Sequence, residues 1–122
     1  MFDHVSLQCD DLTASRAFYE TVLAPLGINV SMDFGDVLGL SAEDGVPKFW
    51  LGKQTTGGIQ REIHVAFTAS SRAVVDSIYH AVRTLGAEIL HEPKEWPEYH
   101  PGYYAVFMRD PDSNNVEVVS HS

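Results

Sequence analysis

The tetrapeptide His4-Val5-Ser6-Leu7 returns sixty positions later as His64-Val65-Ala66-Phe67, and this repeat limits the fold more than any other feature of the chain. The same offset places Ala14 on Val74, Phe18 on Ile78, Tyr19 on Tyr79 and Val22 on Val82; after a slip of one residue, Leu26-Gly27 falls on Leu85-Gly86. A period of half the chain describes two copies of one small α/β unit rather than a solenoid, whose repeats are short and many. The 122 residues, 44% of them apolar, suffice for one compact domain with a single core.

Each copy reads as βαβββ. Residues 3–9 alternate, with Val5, Leu7 and Cys9 on one side and His4, Ser6 and Gln8 on the other, which is the period of a strand packed on one face. Asp10-Asp11 supply helix caps, and Ala14, Phe18, Val22 and Leu26 recur at helical spacing until Gly27. Three strand segments follow near 28–34, 36–41 and 47–52, separated by Gly35-Asp36 and Glu43-Asp44-Gly45. A polar, glycine-rich link, Lys53 to Gln60, joins the halves. The pattern then restarts: Val65, Phe67 and Ala69 alternate against His64, Ala66 and Thr68, and Ser70 or Ser71 caps a helix whose apolar stripe ends at Gly86. Strands are predicted near 87–91, 103–108 and 115–119, with Pro101-Gly102 and Asp110-Pro111-Asp112 as breaks.

Parity turns this pattern into chemistry. The apolar side of each first strand faces its own helix, so His4 and His64 face the other way. The alternation over 115–119 sends Val116 and Val118 to the packed side and Glu117 to the side of the histidines. If the two sheets curve toward each other, that side lines a shared concave surface. Two imidazoles and one carboxylate there form a ligand set for Fe, Mn, Co, Ni or Zn that leaves positions open for water and substrate. A histidine taken alone is more often a strand residue satisfied by a backbone group; its recurrence at equivalent positions of a repeat favours the ligand reading.

Composition removes other classes. Eight Lys and Arg against seventeen Asp and Glu, for a net charge of −9, leave no cationic cluster for a phosphate backbone, so no nucleic-acid partner is expected. No apolar run reaches membrane-spanning length, and the first residues, with Asp3 and His4, lack the pattern of a signal peptide. The lone Cys9 forms no intrachain disulfide. A reducing, cytoplasmic setting is the expectation.

The residues that carry a family resemblance are Asp3 to Leu7, the helix text Asp11-Leu12-Thr13-Ala14-Ser15-Arg16-Ala17-Phe18-Tyr19, His64 to Phe67, and Tyr103 to Phe107 leading into Asp110-Pro111-Asp112 and Glu117. In that order the chain resembles the vicinal oxygen chelate superfamily of glyoxalase I, extradiol dioxygenases, fosfomycin-resistance enzymes and bleomycin-resistance proteins. The resemblance implies an α+β fold of two tandem βαβββ modules, residues 1–53 and 61–122 of one domain, forming a curved mixed-sheet cup with the helices outside. It further implies a divalent ion at His4, His64 and Glu117, a small-molecule substrate whose adjacent oxygens chelate that ion, lyase, isomerase or dioxygenase chemistry, and a homodimer. The cup is built within one chain or by modules exchanged between two.

Departures from the family pattern narrow the activity. Glyoxalase I has a fourth ligand where this chain has Phe49-Trp50-Leu51, which cannot coordinate. Phe49 and Trp50 are expected to form an apolar wall instead. Extradiol enzymes usually carry four modules and this chain has two; a phosphonate would need clustered cations. The alternative is a bleomycin-resistance-like protein that sequesters a ligand without metal, a reading the intact triad opposes. Tyr99, His100, Tyr103 and Tyr104 flank Pro101-Gly102, where His100 is the preferred acid or base and the phenols of Tyr103 and Tyr104 belong to the same proton path. Equally, these aromatics suit a rim or a dimer contact. His80, His91 and His121 are assigned no role. Ser113 stands where this turn usually has Gly, with Asn114 expected to tolerate the left-handed backbone.

Overall fold

The repeat is carried into the backbone. The computed structural model describes residues 1–122 as β1 (Val5–Cys9), α1 (Leu12–Leu23), β2 (Asn29–Asp33), β3 (Val37–Ser41) and β4 (Pro47–Lys53), then β5 (His64–Thr68), α2 (Arg72–Leu85), β6 (Ile89–Glu95), β7 (Tyr104–Arg109) and β8 (Asn115–Ser120). The helix starts are set by side chains: Asp11 accepts from the Ala14 amide and Ser71 from the Val74 amide. The first helix is expected to run to Leu26, yet its last turn, Ala24–Leu26, is a 3₁₀ turn. Pro25 has no N–H for the next α-helical bond, and Gly27 closes the turn with φ 77°. Strand β6 continues past the expected residue 91, because bulges between Ile89 and His91 and between His91 and Lys94 break the alternation by which a strand is recognised.

The strands form two four-stranded mixed sheets, ordered β1-β4-β3-β2 and β5-β8-β7-β6. In each, the first strand is an edge strand paired in parallel with the last, and the remaining pairs are antiparallel. The helix sides of the two sheets meet: α1 packs on α2, Phe49 of β4 meets Phe67 of β5 edge to face at 5.3 Å, and one cluster of 19 buried residues includes Leu7, Phe18 and Leu51 with Ile78, Val106 and Val118. Each such side chain, fully buried, contributes about 1.5–3 kcal/mol. Phe49 is therefore part of this core and not of an apolar wall; only Trp50 takes the opposite face. Because the core lies on the helix sides, His4, Ser6 and Gln8 of one module and His64, Ala66 and Thr68 of the other are exposed.

A buried polar clamp ties the modules together at the β7–β8 turn. Asp110, 6% exposed, accepts the Tyr19 hydroxyl from α1 at 2.5 Å, the Asp112 and Asn114 amides and the Asn114 side chain. Burial, reinforced by the Asp110 carboxylate, pushes the Tyr19 phenol well above its ordinary value and keeps it a donor. Asp112 accepts the Asp10 amide at the end of β1. Within the turn the positive φ, 66°, falls on Ser113 itself and not on Asn114.

Two substitutions test the clamp. Asp110→Ala leaves buried donors unpaired and is expected to lower unfolding stability by about 3 kcal/mol. Ser113→Gly relieves the left-handed strain against a smaller entropic cost and is expected to raise stability by about 0.5–1 kcal/mol. Urea unfolding monitored by circular dichroism measures both.

Candidate functional site

The register of the second sheet builds the site. β5 and β8 run in parallel with Ala66 opposite Glu117, so His64 and Glu117 project from adjacent strands on the same face. The His64 Nε2–H donates to Glu117 Oε1 at 3.0 Å, from an imidazole half exposed to a carboxylate only 3% exposed. The Tyr103 hydroxyl donates to the other oxygen, Oε2. A carboxylate removed from water must be satisfied by such partners. Burial first, and Glu117 second, raise the Tyr103 phenol far above its ordinary value, so it stays protonated.

Around this pair the same face is aromatic. Phe107, paired with Glu117 across β7–β8, stacks near His64 at 6.1 Å. His91 and Trp96 of the β6 region meet Phe107 at 5.7 and 5.2 Å, and Lys94 Nζ lies 4.0 Å from the Trp96 ring centroid. His100 and His121 share a hydrogen bond of 2.9 Å between Nε2 and Nδ1, and both rings stand edge-on to Tyr103 at 5.3 Å.

Of the residues named from sequence, the chain brings together His64, Glu117 and Tyr103, with His100 beside them. His4 stands just before β1 of the other sheet, where its Nδ1 pairs with Asp3 at 2.6 Å, and within one chain no group of three or more His, Cys, Asp and Glu side chains is arranged to hold a metal. Tyr104 takes the opposite face of β7. Its hydroxyl donates to Asp76 of α2 at 2.7 Å, its ring lies under Arg72 at 4.8 Å, and the Asp76 bond pushes its phenol to about 12. Phe107, Trp96, His91 and His121 escape the sequence reading. Strand β7 is apolar on both faces, β6 is bulged, and the His100–His121 contact joins a loop to the C-terminal end.

The chain belongs to the glyoxalase/bleomycin resistance protein/dioxygenase superfamily, whose family model matches residues 1–118. An uncharacterized protein of Pseudomonas aeruginosa is 32% identical over 120 residues, covering 93% of this chain and 84% of its own. Among solved structures, a glyoxalase/bleomycin resistance protein from Albidiferax ferrireducens shares the fold with a TM-score of 0.82 at 22% identity over 98% of both chains. A lactoylglutathione lyase from Agrobacterium tumefaciens has a TM-score of 0.68 at 26% identity, covering 98% of this chain and 92% of that one. No helix is long and apolar enough to cross a membrane.

The Tyr104–Asp76 bond makes a prediction in alkali. A phenol whose folded pKa is raised to about 12 from an ordinary 10 stabilises the fold fully below pH 10, and that contribution is lost as pH climbs through 12. Phenolate absorbance should show a step near 12 in the parent chain that moves toward 10 in Asp76→Asn; an unmoved step would contradict the assignment.

Proposed function

We propose that this protein is a metal-dependent enzyme of the glyoxalase/dioxygenase type, acting on a small molecule through two adjacent oxygens bound to a divalent ion. His64 and Glu117 of one chain, with His4 of a second copy, hold that ion. The observation that carries the reading is the His64–Glu117 pair, an imidazole nitrogen and a carboxylate oxygen 3.0 Å apart at the edge of solvent. Nitrogen and oxygen donors of this kind suit Fe, Mn, Co, Ni or Zn, and an ion between them would take the place of the hydrogen bond.

Three features support a second copy as the source of His4. Both first strands, β1 and β5, are sheet edges that pair without irregularity on their inner sides. The outer strands, β2 and β6, carry bulges of the kind that discourage further pairing. Moreover, the face that carries His4 also exposes Met32, Phe34 and Val37, an apolar surface that becomes the lining of a cup when a partner's sheet stands opposite it. In a twofold dimer, β1 of each chain beside β5 of the other places His4 with His64 and Glu117 twice over.

When bound, the ion supplies Lewis-acid stabilisation of negative charge on the substrate oxygens. The chain's own groups do the rest. Tyr103, held protonated, fixes the Glu117 carboxylate through Oε2 and leaves Oε1 toward His64. Phe107 sets the plane of the His64 ring. His100 gives its Nδ1–H to the Pro101 carbonyl at 2.7 Å and accepts the His121 Nδ1–H on Nε2 at 2.9 Å, so in this reading it orients His121, whose Nε2 takes the substrate proton.

Elemental analysis of protein purified without chelators should find a divalent transition metal, and His4→Ala, His64→Ala and Glu117→Gln should each lose it. The cross-chain site has its own signature. A mixture of His4→Ala and His64→Ala chains, exchanged through mild denaturation, should recover about a quarter of the sites, while either variant alone recovers none. Equal failure of the mixture would place the three ligands within one chain or deny the site.

A further inference from the structure

We propose that Trp50 is a specificity-determining residue, and that it selects substrates whose chelating oxygens are borne by a flat apolar ring. This rests on the ion site proposed above and adds the class of molecule presented to it. The two sheets carry matching rows across their open faces. In the second sheet the row is Ala66, Glu117, Phe107 and His91, read from β5 through β8 and β7 to β6. In the first sheet the register gives Ser6, Trp50, Gly39 and Met32. Trp50 therefore occupies the position equivalent to Glu117, and where one module offers a carboxylate the other offers an indole.

The local structure is built around that indole. A Cβ at Gly39 would lie 2.8 Å from both Cη2 and Cζ3 of Trp50, so only glycine lets the ring lie down against β3. Phe34 runs nearly parallel to it, with an interplanar angle of 8° at 6.5 Å, and is itself 70% exposed. Met32, next to Gly39 in the row, is 42% exposed. No acidic or imidazole group belongs to this row. In the proposed dimer the pseudo-twofold relation sets Trp50 of one chain across the cup from Glu117 of the other, so a substrate chelating the ion extends its remaining body onto the indole. An apolar, flat body gains contact and dispersion there, and a small aliphatic one leaves the platform wet.

Mandelate and lactate present the same charged pair of adjacent oxygens and differ by a phenyl in place of a methyl group. Their affinities for the Mn(II)-loaded protein, measured by calorimetry, isolate the platform. The parent chain should prefer mandelate by about tenfold. Trp50→Ala should bring the ratio close to one by weakening mandelate alone, and Trp50→Phe should retain most of it. Gly39→Val, which displaces the ring without removing it, should behave like the alanine variant. An unchanged ratio in Trp50→Ala and Gly39→Val overturns the proposal. Mn(II) binding is scored separately by electron paramagnetic resonance. Should the ion not bind, the metal reading falls, and the preference is then scored on the metal-free protein: a mandelate preference lost in Trp50→Ala sustains the platform, and no preference overturns it.

Discussion

The satisfaction of the Asp110 carboxylate is the condition on which the open faces depend. Buried beneath the β7–β8 turn, it would be untenable without its donors, and those donors come from both halves of the chain: Tyr19 of α1 and the backbone of its own turn. The consequence travels outward along the backbone. Asn114, held by Asp110, accepts the Ile63 amide at 2.9 Å on its side-chain oxygen, and the Asn115 amide donates to the Ile63 carbonyl. Those bonds start β5 and β8 in register, with His64 opposite Asn115 and Ala66 opposite Glu117. A clamp on the helix side thus fixes which carboxylate stands beside which imidazole on the other.

The two faces of β7 divide the aromatic and charged residues that lie close together in sequence. Tyr104 turns inward to Asp76 and Arg72 and fastens α2 to the sheet. Tyr103, one residue earlier, turns outward to Glu117. The alternation of the backbone at the start of β7 separates a residue that fastens α2 to the sheet from one that holds the Glu117 carboxylate. The same rule acts at Phe49 and Trp50, where one ring enters the core with Tyr19 and Phe67 and its neighbour lies open beside Phe34.

Much of this is legible in the residues. The repeat of the His-Val motif yields two βαβββ modules, because apolar periodicities of two and 3.6 are enforced by burial and burial is strong here. The parity of His64 and Glu117 is legible for the same reason: Val116 and Val118 are driven inward, and the residue between them has nowhere else to go. Parity fails where both faces are apolar or where a bulge shifts the count, which hides Phe107, His91 and Trp96. It is also silent on how two modules meet. Nothing in the alternation distinguishes modules joined along their helix sides from modules closed over their open faces; that choice is made by long-range packing such as Phe49 on Phe67 and Tyr19 on Asp110. The left-handed residue at the turn is misplaced by one position for a related reason. Asn114 is the residue type that tolerates that backbone, but its side chain is committed to Asp110 and Ile63, and Ser113 takes the strain.

The duplicated rows let one half of the chain be altered without the other. Each row is backed by its own ladder of backbone bonds, so an altered side chain at position 32, 39 or 50 is felt within β1 to β4 and leaves the spacing of His64 and Glu117 untouched. One half can be reshaped while its twin keeps the His64–Glu117 pair in place.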